Sequence, residues 1–297
     1  MSGSNDFKYR MSNTVAPEKE SHVSIAQSQP INATAFNRYL TLIAIKLARR
    51  FRKQPDIPIL FLFKKLCVKC GTQVDLSEAS TMQFVAKHTS IPVPRVHCAF
   101  THKNRTYIVM ERIHGEPVCD SWRIRSEESR ARILAQLKNM VEEMCRITPP
   151  DGIGVANVDG GPLYDMKLPS SSGHFGPFRT IHDFHRYLRG GLEAQPNHYP
   201  EISELISQQD KYGSPPPVFT HGDLHSANIL ASGDKVVGIV DWETAGWYPA
   251  YWEYTTAWNV NPRNLIWREA VDKFLQPLPE ELKMERIRLK YFGDVTD

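Results

Sequence analysis

The feature that most constrains this chain is the stretch VFTHGDLHSANILASGDKVVGIVDWE, residues 218–243. His221, Asp223, His225, Asn228, Asp241 and Glu243 crowd the ends of two short apolar runs, NIL and VVGIV. The segment between them, ASGDK, consists largely of turn formers, so the two runs read as an antiparallel hairpin. Asn228 opens the first strand and Asp241 follows the second, which puts both at the same end of the pair. Neighbouring strands lie about 4.8 Å apart, so an amide oxygen and a carboxylate can converge on one hard cation. A magnesium ion bound by one or two such side chains takes its other ligands from phosphates and water.

Asp223 stands five residues before Asn228, in the loop that enters the first strand. A carboxylate beside a metal–phosphate site can accept the proton of an attacking hydroxyl. A different chemistry is also open. His221 and His225 with Asp223 and Asp241 could ligate a transition metal in a metallohydrolase, although Asn228 would then be idle. An aspartate in a glycine-containing turn is also a common local cap, and His221 could simply hold the loop.

Composition narrows the classes. The chain has 297 residues, 41% hydrophobic and 23% charged, enough for one large domain or two lobes sharing a cleft. A net charge of +3 does not point to nucleic acid. The one basic cluster, IKLARRFRK at residues 45–53, reads either as a solvated helix face or as a contact for anionic lipid or substrate. No apolar run approaches the roughly 18 residues that span a bilayer, and the N-terminus has no apolar signal region. Cysteines 67, 70, 98, 119 and 145 are an odd, scattered set, which argues for reduced thiols and a cytoplasmic protein. Cys67 and Cys70 form a CxxC with no second pair to complete a zinc site.

Residues 1–30 are rich in Ser, Asn, Glu and Lys and read as a tail. Residues 35–52 carry helical periodicity, and IPILFLF and KLCVK read as strands. DLSEASTMQFVAKHTS opens with Asp75 and Glu78 three apart, a capping-box arrangement, and continues as a helix. IPVPRV must be extended, because each residue before a proline is pushed out of the α region. RTYIVME is a strand by its β-branched and aromatic content. After HGEP the pattern changes. Residues 126–147 and TIHDFHRYLRGG read as helices, the latter with Thr180 as N-cap and Gly190 as stop, and the last 40 or so residues are helical. The organisation predicted is α+β: residues 31–113 form a small strand-rich lobe and 114–297 a larger, mostly helical one.

HGDLHSANIL followed by GIVDWE resembles the catalytic and metal-binding motifs of the aminoglycoside phosphotransferase and choline kinase-like superfamily, which has the two-lobed protein-kinase-like fold. VKCG, SEASTMQFVAKHTSIPVPRV, TYIVMERIHGE, FGPFRTIHDFHRYL and AGWYPAYWEY are similar as well, over about residues 60–275, to a branch common in filamentous fungi. The resemblance implies transfer of the γ-phosphoryl of ATP, with Mg²⁺, to a hydroxyl of a small molecule. It makes Asp223 the catalytic base and Asn228 and Asp241 the metal ligands. Lys69 would hold the α/β-phosphates, with Glu78 as its ion-pair partner. VMERI would be the hinge between lobes, where the backbone of Glu111 and Ile113 hydrogen-bonds adenine and Met110 flanks its ring.

Alternatives stay open within this assignment. Lys64 and Lys65 compete with Lys69, and Glu78 could belong to the capping box instead. Trp242, Trp247 and Trp252 could line a substrate site or fill the core. Glu243 could assist a second metal or cap the next segment. One departure matters: no glycine stands between Gly3 and Gly71, where kinase-fold enzymes carry a glycine-rich loop over the phosphates. Its absence raises a second reading, a nucleotide-binding pseudokinase acting as an interaction module. The partners expected are ATP and a small hydroxylated molecule, with no nucleic acid, no stable membrane insertion and a monomeric chain.

Overall fold

The structure is a computed structural model that describes residues 27–52, 58–213, 215–259 and 265–293. Residues 1–26 of the expected tail and residues 53–57 of the glycine-free stretch lie outside the described residues. The small lobe runs α1 (Ala35–Arg52), β1 (Ile59–Phe61), β2 (Leu66–Gly71), α2 (Leu76–His88), β3 (Val96–His102) and β4 (Arg105–Glu111). Its strands form one antiparallel sheet in the order β1-β2-β4-β3.

Successive side chains of a strand point to opposite faces, and β2 shows what this sorts. Val68 and Cys70 pack on the outer face with Ile45 of α1, whereas Cys67 packs on the inner face with Ala79 and Met82 of α2. The CxxC is therefore split across the sheet and cannot clasp one ion. All five cysteines are free thiols. Lys69 takes the inner face with Cys67.

At the start of α2 the expected capping box does not form. Asp75 caps the helix by accepting the Ser77 N–H at 2.7 Å, and Glu78 turns away to the sheet. The β3–β4 connection was not anticipated beyond its extended entry. Lys103 and Asn104 both take positive φ, which suits a two-residue hairpin turn.

The large lobe begins with β5 (Glu116–Pro117), α3 (Val118–Ser121) and α4 (Glu127–Cys145), the last capped by Ser126. It continues with β6 (Leu163–Tyr164), β7 (His174–Phe175), α5 (Ile181–Leu188) and α6 (Pro200–Lys211). Thr180 caps α5 in a reciprocal box with Asp183, and Gly190 follows in the left-handed region. Next come β8 (Val218–Thr220), β9 (Ile229–Ser232), β10 (Lys235–Ile239) and β11 (Gly246–Tyr248). Helices α7 (Trp252–Asn259), α8 (Leu265–Phe274) and α9 (Pro279–Phe292) close the chain.

The hairpin expected from the sequence is β9–β10, with Ile229 opposite Ile239 and a register shift between Val236 and Gly238. β5 extends it, while β8 pairs with β11. One apolar cluster runs through both lobes, from Met82 and Ile108 to Leu137, Phe219, Ile229, Trp242 and Trp247. Beneath the 221–228 loop, Phe219 stacks on Trp242 and meets Trp247 and Phe84 edge-on or tilted. Burying a side chain of Phe219's size contributes roughly 2–3 kcal/mol. Trp242, Trp247 and Trp252 are all buried, so of the two readings they fill the core.

Candidate active site

The loop between β8 and β9 is suspended by its own buried polar groups. The Asp223 N–H donates to His221 Nδ1 at 3.2 Å, so the ring proton sits on Nε2, which donates to the Val240 carbonyl at 3.1 Å. Complete burial pushes the His221 pKa down to about 4 and keeps this tautomer neutral. With both nitrogens engaged, His221 has no lone pair for a metal, which removes the metallohydrolase reading. Thr244 Oγ1 donates to the His221 carbonyl at 2.9 Å, and the His221 N–H donates to Glu253 Oε2 at 2.6 Å. Gly222 has φ +82, and a Cβ there would lie 2.9 Å from the Thr244 carbonyl oxygen, so only glycine fits.

The ladder delivers the two expected cation ligands to one place. The Val240 N–H donates to the Asn228 carbonyl at 3.0 Å, directly across the hairpin, and Asp241 is next in the chain. Asn228 Nδ2 donates to the Asp223 carbonyl at 2.9 Å and its carboxylate at 3.2 Å, which fixes the amide so that Oδ1 is its remaining acceptor. Asp241 adopts φ 66 and ψ 61, a left-handed conformation that Asp tolerates better than most residues. A 3₁₀ turn at Trp242–Thr244, pinned by the buried indole, holds it there.

From the small lobe, Lys69 reaches the same point. Its Nζ lies 2.9 Å from Glu78 Oε2, 2.7 Å from Asp241 Oδ1 and 2.9 Å from Glu243 Oε2. Lys64 and Lys65 are exposed in the β1–β2 turn, so among the three lysines it is Lys69 that faces the carboxylates. Burial alone would lower the Lys69 pKa; Glu78, Asp241 and Glu243 together outweigh it and hold the ammonium charged well above its usual range. Burial pushes Glu78 up to about 7, with Lys69 pulling the other way. Burial likewise raises Glu243. One cation thus faces three carboxylates.

Asp223 is mostly buried at the cleft wall. Burial would raise its pKa, but His225 Nε2, 3.4 Å from Oδ2, and Lys167 Nζ, 2.7 Å from Oδ1, hold it well below the usual carboxylate range. Lys167 comes from the β6–β7 hairpin, where its N–H is pinned by buried Asp165. The same hairpin reaches the small lobe, His174 Nε2 lying 3.1 Å from Asp75 Oδ2. It therefore touches both the candidate base and the cap of α2.

At the hinge, Met110 is buried beneath the sheet, and Cys67 Sγ approaches the Met110 and Glu111 carbonyls at 3.7 and 3.6 Å. The Glu111 N–H is donated to the Arg95 carbonyl at 2.9 Å, so this residue has no free donor at the hinge. Among the described residues the Ile113 N–H has no acceptor. The Ile113 side chain sits on Gly238, where a Cβ would lie 2.5 Å from Cδ1. An open cavity of about 330 Å³ lies between residues 112–116 and 231–233; it borders the hinge but not Lys69 or Asp241.

The structure thus gathers Lys69, Glu78, Asn228, Asp241 and Asp223 in one cleft, with Met110, Glu111 and Ile113 along its hinge edge. Sequence reasoning missed Lys167 and Glu253 and left Glu243 undecided. Lys167 stands 56 residues before Asp223, and no spacing rule connects them. Glu253 lay in the quoted AYWEY segment, where a lone glutamate among aromatics was the available signal.

Comparison with known proteins agrees with this geometry. The sequence model of the APH phosphotransferase enzyme family matches residues 76–284. The chain is 25% identical over 204 residues to the clavilactone A biosynthesis cluster protein Y of Ampulloclitocybe clavipes, covering 59% of this chain and 50% of that protein. It is 22% identical over 178 residues to a probable acyl-CoA dehydrogenase of Arabidopsis thaliana, covering 56% of this chain and 20% of that protein. The chain therefore spans half or less of these curated relatives. Among solved structures, a thermostable mutant of aminoglycoside phosphotransferase APH(4)-Ia, in ternary complex with AMP-PNP and hygromycin B, superposes with a TM-score of 0.57. It has 14% identity, over 83% of this chain and 88% of that one. The gentamicin complex of APH(2'')-IIa gives 0.51 at 15% identity, over 88% and 87%. These likenesses show the fold: two-lobed, α+β and protein-kinase-like.

Proposed function

The chain belongs to the APH phosphotransferase enzyme family; from that premise we propose that it is a phosphotransferase that moves the γ-phosphoryl of ATP, bound with Mg²⁺, to a hydroxyl of a small molecule. The observation that carries the reading is the meeting of Lys69, Asp241 and Glu243 within a hydrogen-bond length, beside the Asp223–Asn228 pair. We take residues 31–113 as its small lobe and 114–297 as its large lobe.

The donor set fits magnesium: the Asp241 carboxylate and the Asn228 amide oxygen are both hard ligands, in a cluster whose carboxylates outnumber its one cation. Asp241 and Asn228 would hold the ion, which would supply positive charge to offset that of the phosphates. Lys69, steadied by buried Glu78, is placed to contact the α/β-phosphates. The hinge groups of Glu111 and Ile113 offer an acceptor and a donor to adenine, with Met110 behind its ring.

Asp223 accepts the hydroxyl hydrogen. The acceptor oxygen bonds to the γ-phosphorus, the bond to the β–γ bridging oxygen breaks, ADP leaves and the proton goes to Asp223. Its depressed pKa makes it a weak base, so its main contribution is to orient the hydroxyl, which suits a loose phosphoryl-transfer transition state. Lys167 occupies Oδ1, so an incoming hydroxyl competes with that ammonium.

The pseudokinase reading has one observation in its favour. β1 turns directly into the Lys69 strand, without glycine in the turn, so the usual phosphate cover is lacking there among the described residues. A single experiment separates the two. Thermal unfolding is followed with Mg²⁺ and ATP, and turnover is measured on a panel of hydroxylated acceptors, for the wild type and Asp223→Asn. The wild type is expected to be stabilised and to turn over; the variant is expected to keep the stabilisation and lose about 10²-fold or more in rate. Equal turnover in the variant refutes the base assignment. Stabilisation without turnover in the wild type supports the binding module.

A further inference from the structure

Helix α1 has two apolar sides, and the fold uses only one. Ile45 and Ala48 pack on the outer face of the sheet against residues such as Val68, Cys70 and Phe100. Phe36, Tyr39, Leu40, Ile43 and Leu47 are exposed, Phe36 at 68% and Tyr39 at 65%. At about 100° per residue, these five with Lys46 and Arg50 fill a single arc of about 120°. Five of the eleven large apolar side chains exposed among the described residues thus lie on this one arc of α1, which makes a patch rather than scatter.

Charge tells what the patch can meet. No acidic residue stands between Glu20 and Asp56, whereas Arg38, Lys46, Arg49, Arg50, Arg52 and Lys53 all fall in that interval. The chain's net charge is only +3, so the remainder is net negative. Lys46 and Arg50 are exposed on the same arc as the apolar stripe. Apolar bulk with interleaved basic residues and no acid is the composition of a helix that lies in a lipid headgroup layer. A second copy of the chain is a poorer occupant. A two-fold contact would set this basic face against itself, and a stable interface needs about 20–30 residues a side.

We infer that the outer face of α1 docks the protein reversibly on an anionic phospholipid surface. Phe36, Leu40, Ile43 and Leu47 enter the headgroup region, and Lys46 and Arg50 meet lipid phosphates. No helix among the described residues is long and apolar enough to cross a membrane, so the contact is peripheral. The cleft with Lys69 opens on the opposite face of the sheet and stays accessible.

The test is flotation of the full chain with phosphatidylserine–phosphatidylcholine vesicles against pure phosphatidylcholine vesicles, with sedimentation velocity in parallel. The wild type is expected to float with the anionic vesicles only. The Ile43→Asp, Leu47→Asp double variant is expected to stay in solution with an unchanged unfolding midpoint. The Lys46→Glu, Arg50→Glu pair is expected to lower the partition coefficient by about thirtyfold or more. Absence of flotation by the wild type, or equal flotation of the variants, overturns the inference. So does a dimer that Ile43→Asp dissolves, which would assign the face to a second copy.

Discussion

Replacing Glu253 with glutamine isolates the cost of one buried carboxylate under the catalytic loop. Oε2 accepts the His221 N–H at 2.6 Å, and Oε1 has no hydrogen-bond partner among the described residues. Burial pushes the Glu253 pKa from 4.5 up to about 7, against the pull of the His221 and Gly222 N–H groups. A carboxyl raised in the folded state stabilises fully below its unfolded pKa, and that contribution is lost as pH rises through the folded one. Each pKa unit is worth about 1.4 kcal/mol, so the shift corresponds to about 3 kcal/mol lost between roughly pH 4.5 and 7. Glutamine keeps the acceptor for His221 but cannot ionise. The structural cost of the exchange is the same at every pH, and His221 titrates in both proteins, so both cancel in a difference of differences. Urea unfolding of the two proteins at about pH 5 and pH 8 measures it. The wild type is expected to lose about 2–3 kcal/mol more than Glu253→Gln between those values. Parallel pH dependences would refute the account of Glu253 as a buried carboxylate held at a cost.

Lys69→Met removes the one cation facing three carboxylates. Breaking a buried pair from one side is expected to cost about 3 kcal/mol at neutral pH in chemical denaturation. The cost is expected to shrink on acidification as Glu78, raised to about 7, takes up a proton; a loss that does not change with pH contradicts the ion cluster. Lys167→Ala removes one of the groups that depress Asp223, so the acidic limb of the kcat/KM profile is expected to move to higher pH. A limb that stays in place means the 2.7 Å contact does not persist in the working enzyme.

What the sequence disclosed and what it hid follow from range. The β9–β10 hairpin, the capping of α5 and the span of α1 are set by neighbours a few residues apart, and turn chemistry and periodicity reveal them. Asn228 and Asp241 were legible for the same reason, because a hairpin turns sequence spacing into a spatial pair. Glu78 was ambiguous because the same three-residue offset from Asp75 suits a capping box and an ion pair. Burial against Lys69 chose between them, and burial is a tertiary fact. Lys167 and Glu253 reach the loop from segments whose approach is fixed only by packing of β6, β7 and α7. The CxxC misleads in the other direction, since strand alternation sends its two thiols to opposite faces.

The left-handed turn at Asp241 delivers a carboxylate to Lys69, so that ammonium has its counter-ions within the protein and the carboxylates around it are in excess. Under the proposed function, nucleotide binding would be an exchange of counter-ions: Lys69 would turn from carboxylates to phosphates, and Asp241 would be released to hold the metal. Lys69 with Glu78, Asp241 and Glu243 sums to a net negative site when all are ionised. Bare ATP would meet repulsion there, while the metal–nucleotide complex brings its own compensation. The excess of carboxylates is therefore expected to make nucleotide affinity depend strongly on Mg²⁺.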